Sequence, residues 1–229
     1  MENLPDTPIY EESTPNFIFD AIINKDGIID ISELKFNHPQ DKIPSCEWSD
    51  KNFDLRIIDE KNPNYWYETN NSKRTPKCGE FYIHLRVWYR KSEWIDISDY
   101  KALTDYLDDY GGVAIYRDGI LVLDSKLSSE HDWLGLAKKH IKQGFRISYR
   151  DFIGNVEITQ GENFNLIDKT NREGLIENQA SKDLSKLIAN AIEKIPSTSI
   201  ALLIGNALPP KFSFYQSINI YNHIQEHIG

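Results

Sequence analysis

Between residues 16 and 58 the apolar positions fall into short runs broken by turns. Phe17, Ile18, Phe19, Ala21, Ile22 and Ile23 lead into Asn24-Lys25-Asp26-Gly27, and Ile28, Ile29, Ile31, Leu34 and Phe36 follow. Asp-Gly between two apolar runs predicts a β-hairpin, because glycine accepts the positive φ of a tight turn. Residues 62–77, with Asn62-Pro63, Asn70-Asn71 and Thr75-Pro76, predict a surface loop or mobile insertion. Phe81, Ile83, Leu85, Val87 and Tyr89 then alternate with more polar neighbours, the period of a half-buried strand. Leu103, Tyr106, Leu107 and Tyr110 mark a short helix, capped by Ser98 or Asp99 and ended by Gly111-Gly112. A second hairpin follows, with Val113 to Tyr116 and Ile120 to Leu123 flanking Arg117-Asp118-Gly119. Residues 132–140 read as a short helical turn and residues 153–159 as another strand.

The longest helix is predicted from Leu175, Ile176, Ala180, Leu184, Leu187, Ile188, Ala191, Ile192 and Ile195, which recur at steps of three and four. Pro196 is expected to stop it. The tail, with Pro209-Pro210 and Phe212, Phe214 and Tyr215, reads as a last strand and helix or as a docking arm. The pattern is α+β: antiparallel-rich sheets with helices on one face. Three regions are expected: a β-rich N-terminal part with its polar loop at 1–76, a core at 77–195, and an arm or final element at 196–229.

Composition narrows the class. An apolar share of 40% and a charged share of 27% describe an ordinary globular chain of 229 residues, long enough to bury a proper core. No apolar run approaches the ~20 residues a membrane span needs, and the N-terminal residues do not resemble a secretory leader. Cys46 and Cys78 lack metal-like or redox-like spacing, so a cytoplasmic location is expected. The net charge of −9 opposes attraction to nucleic acid over the whole surface and leaves room only for a local basic patch.

Two stretches concentrate cations. Asp168-Lys169-Thr170-Asn171-Arg172-Glu173-Gly174-Leu175 follows the strand ending near Thr159 and precedes the long helix. It presents Arg and Lys on a turn, where a guanidinium offers several fixed donors to a phosphate and an ammonium a compact charge. The second stretch holds Lys138, Lys139, Lys142, Arg146 and Arg150, interleaved with Phe145 and Tyr149. It is a candidate nucleic-acid contact, against the plainer reading of a charged exposed helix and strand with inward aromatics. His223 and His227 are four apart but have no third ligand beside them, and no metal site or nucleophile set is predicted.

Five blocks in order carry a family resemblance: Lys77-Cys78-Gly79-Glu80-Phe81, Gly112-Val113-Ala114-Ile115-Tyr116-Arg117-Asp118-Gly119, Asp132-Trp133-Leu134-Gly135-Leu136, Ile153-Gly154-Asn155-Val156-Glu157-Ile158, and Lys169-Thr170-Asn171-Arg172-Glu173-Gly174-Leu175-Ile176-Glu177-Asn178. Over about residues 77–195 the series resembles the region after the nucleotide-binding domain in the GHKL superfamily of gyrase, Hsp90, histidine-kinase, MutL and MORC-like proteins. The resemblance implies a transducer with a ribosomal-protein-S5-like fold. One of its loops sends a cation to the γ-phosphate of ATP held in an N-terminal GHKL ATPase domain. By position that cation falls on Arg172, preceded by Asn171, with Lys169 second.

The superfamily's Asp-x-Gly-x-Gly loop, which exposes backbone N–H groups to phosphate, has no counterpart here. This chain is therefore expected to be non-catalytic and free of cofactors, and to bind ATP poorly or not at all by itself. The resemblance implies a full-length, homodimeric ATPase that uses ATP and Mg²⁺ and relays closure from the sensor, with no membrane association. The chain is expected to be a piece of that longer protein rather than a stand-alone relative. The alternative is a nucleic-acid- or protein-binding adaptor, and DNA repair and defence against phage both suit either reading.

Overall fold

The computed structural model describes residues 13–36, 52–58, 62–88, 90, 100–125, 133–134, 136, 149–170 and 174–206. Within these the chain is α+β. Strands β1 (Phe17–Ile23), β2 (Ile28–Phe36), β3 (Asn52–Asp54), β4 (Phe81–Val87), β5 (Gly112–Arg117), β6 (Ile120–Leu123) and β7 (Phe152–Ile158) form one mixed sheet. Its seven strands lie in the order β3-β2-β1-β4-β7-β5-β6. Every pairing is antiparallel except β5 with β7, which run parallel from Gly112 opposite Ile153 to Arg117 opposite Ile158. The sheet is continuous across residues 76 and 77, since β1 pairs with β4 over its full length.

Both predicted hairpins form, and their turns show why. In the first, Gly27 has φ of 75° and the Asn24 side chain accepts hydrogen bonds from the N–H groups of Asp26 and Ile28. In the second, Asp118 and Gly119 have φ of 48° and 80°, the successive positive values that match a two-residue turn to the strand twist.

Alternation along the strands separates two faces. Phe17, Phe19, Ala21 and Ile23 of β1, the odd-numbered residues of β4, and Phe152, Val156 and Ile158 of β7 bury the main core. Helix α2 (Gln179–Asn206) covers that core with Ala180, Leu184, Leu187, Ile188, Ala191 and Ile192. On the other face, helix α1 (Tyr100–Tyr110) buries Leu103, Tyr106 and Leu107 against Trp88 and Ile153. The α+β, antiparallel-rich expectation holds, but the two helices take opposite faces rather than sharing one. Trp88 and Ile153 explain this: each follows an inward residue, so each projects outward, and together they give α1 its own apolar patch.

Three local expectations change. The long helix begins at Gln179, not at Leu175 or Ile176, because Leu175 pairs with Asp168 as an isolated bridge. It also continues through Pro196 to Asn206. A proline removes one N–H from the helical ladder and bends it, and the remaining bonds let the helix propagate. Residues 62–77 do form a surface loop, but one anchored to the body: Trp66 is 1% exposed and packs in the main core. No helix of the described residues is long and apolar enough to cross a membrane.

Candidate functional site

The segment predicted to sense phosphate starts where β7 ends. Asn163, buried at the turn after β7, accepts a hydrogen bond from the Thr159 N–H at 2.7 Å. Its amide donates to the carbonyls of Cys78 and Glu80, both at 2.7 Å, so the turn is tied to the start of β4. Leu166 buries in the core, and the chain then doubles back on itself. Ile176 N–H donates to Ile167 O at 2.7 Å, Asp168 bridges Leu175, and Lys169 N–H donates to Gly174 O at 2.9 Å. The result is two short paired arms, 167–169 and 174–176.

Gly174 docks these arms on the sheet edge. Its N–H donates to Val122 O of β6 at 2.9 Å. Its φ of 115° is a conformation L side chains rarely adopt, and an added Cβ would sit 3.3 Å from Leu123 Cδ1.

Beneath the hairpin lies Arg117, the last residue of β5, its side chain only 8% exposed. Its Nε donates to both carboxylate oxygens of Asp168 at 3.1 Å, and Nη2 donates to Oδ1 at 2.8 Å. Nη2 also donates to Leu166 O at 2.9 Å, and Nη1 makes a longer 3.4 Å contact with Thr159 O. One planar group thus reaches three points along the segment. Charge-assisted, bidentate pairing is the strong form of such a contact.

On its far side the segment runs into α2. Asn178 caps the helix: its Oδ1 accepts from the Ser181 N–H at 2.9 Å, and Ser181 Oγ accepts from the Asn178 N–H at 3.0 Å. Asn178 Nδ2 also donates to Asn165 O at 2.9 Å, linking helix start to segment. One turn later Asp183, fully buried, accepts from Tyr65 Oη, both terminal nitrogens of Arg74, the Lys77 N–H and Gln179 Nε2. Burial alone would raise its carboxyl pKa, but these donors, Arg74 first, outweigh it and hold the group below its usual range. The same donors fasten residues 65–77 to α2, and the Arg74 guanidinium stacks over Tyr65 and Trp66.

Of the residues predicted to sense phosphate, Lys169 lies on the hairpin with its side chain exposed. Asn171 and Arg172 lie outside the described residues, as do Lys138, Lys139, Lys142 and Arg146. Arg150, with a side chain 53% exposed, sits 3.9 Å from Asp108. Cys78 is buried, and that burial pushes its thiol pKa up to about 12, the opposite of an activated nucleophile. Ser181 belongs to the helix cap. Cys46, Ser98, His223 and His227 lie outside the described residues. Among the described residues, no three His, Cys, Asp or Glu side chains gather as a metal site would require.

Sequence reasoning missed the anchors. Arg117 shares the inward parity of Val113 and Ile115, and Asp183 lies on the apolar stripe between Ala180 and Leu187. A charge at an inward position must find a partner. That was the available signal, though it does not name the partner. A second missed group is Asp20, which directly faces His84 across β1 and β4 and pairs with His84 Nδ1 at 3.0 Å and Arg86 Nη1 at 2.7 Å. It braces the sheet's centre on the face opposite the main core. Searches of protein-family models, curated proteins and solved structures found no match to this chain.

Proposed function

We propose that this chain is the transducer region of a GHKL-type ATPase, with an S5-like fold built on the mixed sheet. In this reading the 167–176 hairpin carries the sensor for the γ-phosphate of ATP, and an ATP-binding domain elsewhere in the protein holds the nucleotide and Mg²⁺. Arg172 supplies the charge, Asn171 orients the tip, and Lys169 adds a second cation.

One observation carries the reading most: the cationic stretch joins two paired arms, 167–169 and 174–176, that are fixed to the body of the protein. The Arg117–Asp168 pair and the Gly174–Val122 bond hold one side, and Asn178 joins the other to α2. A phosphate arriving at that stretch adds charge-assisted contacts available in only one position of the partner domain, and so shifts a two-state balance. Exposed apolar side chains lie on the arms and just before them. Ile167 and Ile176, neighbours across the hairpin, are 51% and 43% exposed, and Phe164 is 68% exposed. Such a patch suits a partner domain that closes on it. Dimerisation on ATP binding and a cytoplasmic location belong to the same proposal.

Substitution of Arg172 by alanine in the protein together with its ATP-binding domain tests the reading. A large loss of ATP turnover supports it, and unchanged turnover rejects it.

A further inference from the structure

We propose that Tyr82, Glu157 and Tyr116 form a slot on the outer face of the sheet that takes a lysine ammonium presented by a partner protein. The proposal goes beyond the transducer reading and does not rest on it.

Strand register builds the slot. On β4, Phe81, Ile83 and Leu85 turn into the main core, so Tyr82 and His84 stand on the opposite face. Tyr82 lies directly opposite Glu157 of β7, and Glu157 lies opposite Tyr116 of β5. One carboxylate thus stands between two tyrosines on three neighbouring strands. Ile22 continues the row beyond Tyr82, and Leu121 continues it beyond Tyr116. Helix α1 packs on this face at its other end, over Trp88 and Ile153. Ile153 lies four residues before Glu157, about 13 Å along the strand.

The spacing suits a compact cation. Neighbouring strands lie about 4.8 Å apart, so side chains two strands apart stand about 10 Å from each other. An ion midway is about 5 Å from each ring, inside the ~6 Å over which an aromatic face attracts a cation.

The charge has the matching sign. The ion pairs of the described residues give Glu157 only His84 as a neighbour, Oε1 to Nε2 at 3.8 Å. Asp20 holds the other imidazole nitrogen, Nδ1, at 3.0 Å. A carboxylate only accepts, so Nδ1 carries the proton and neutral His84 has no Nε2 proton to give Glu157. Asp20 also holds Arg86 on this face, through Nη1 at 2.7 Å and Nη2 at 3.2 Å. Burial first, and the Asp124 carboxylate second, raise the Tyr116 pKa, so a further negative charge lies near that ring.

The openness of the face selects the source of the cation. Small-molecule sites are concave and enclose most of their ligand. Here Glu157 is 59% exposed and Tyr82 42%, so a free amine touches little. A lysine on a polypeptide brings neighbours, which reach the apolar ends of the row at Ile22 and the exposed Leu121.

The test follows the amide NMR spectrum of the 229-residue chain during titration with acetyl-Leu-Lys-Leu amide. Parallel titrations use peptides with norleucine or trimethyl-lysine in place of lysine, and butylammonium. The expected result is saturable shifts at Tyr82, His84, Tyr116 and Glu157 with the lysine peptide. Trimethyl-lysine should bind at least as well, because quaternary ammonium ions suit aromatic walls; norleucine should not saturate these shifts, and butylammonium should bind more weakly. Y82L and E157Q, both at exposed side chains, should each weaken the lysine peptide about 2- to 5-fold, the scale of one exposed cation–π contact or surface ion pair. Norleucine binding as well as lysine, or affinity unchanged in both variants, overturns the slot. Butylammonium binding as tightly as the peptide overturns the polypeptide source.

Discussion

Asp183 shows how much a single residue governs here. Its carboxylate is fully buried and gathers five donors from α2 and from residues 65–77. Removing one member of such a buried pair strands the other, at a cost of about 3 kcal/mol. Asp183→Asn should therefore lower the unfolding free energy by roughly that amount at neutral pH, read by chemical denaturation. The pH dependence has a definite sign. Asp183 is held below its ordinary 3.8, so its contribution is present above that value and is lost as pH falls through the lower native one. The gap between wild type and variant should stay constant above about pH 5 and narrow below about pH 4; a gap that widened in acid would contradict the assignment. Cys78 gives a second check. With its thiol pushed up to about 12 and its side chain buried, it should resist a thiol reagent at pH 8 in a Cys46→Ser background and react only in denaturant. Prompt reaction of the native protein would mean the core around Cys78 opens readily.

Individual elements were legible wherever local chemistry decides. Asp26-Gly27 and Asp118-Gly119 announced their hairpins because the turns need positive φ, and the alternation of Phe81, Ile83, Leu85 and Val87 announced β4. Three features were not legible, each for a tertiary reason. Leu175 and Ile176 fit the helical stripe by spacing, but the backbone bonds to Asp168, Ile167 and Val122 claim residues 174–176 for the hairpin. Residues 62–77 look like a loop by composition, and what fixes them, the buried Asp183 carboxylate on a distant helix and the seat of Trp66 in the core, is tertiary. The Arg117–Asp168 pair joins residues 51 positions apart, which no local pattern encodes. The true helix start is testable. Asn178→Ala should destabilise the protein by about 1 kcal/mol, the value of an N-cap side chain. An alanine variant as stable as wild type would move the helix boundary away from Asn178.

At the scale of the whole molecule, a single sheet joins the N-terminal strands to the β5–β6 edge on which Gly174 docks, so anything acting on residues 167–176 meets one continuous scaffold. The sequence has Lys169 and Arg172 between two paired arms but no Asp-x-Gly-x-Gly loop to cradle a phosphate. Titration calorimetry of these 229 residues with Mg²⁺ and ATP should accordingly detect no binding at micromolar concentrations; a micromolar dissociation constant would make the chain a nucleotide-binding protein in its own right. The central claim is that Arg172 reads the γ-phosphate for a catalytic domain that this chain serves. It is tested most directly by the ATP turnover of R172A in the protein with that domain present. The account predicts a fall of about 100-fold, the scale of losing one preorganised charge contact in a transition state, and turnover equal to wild type would contradict it.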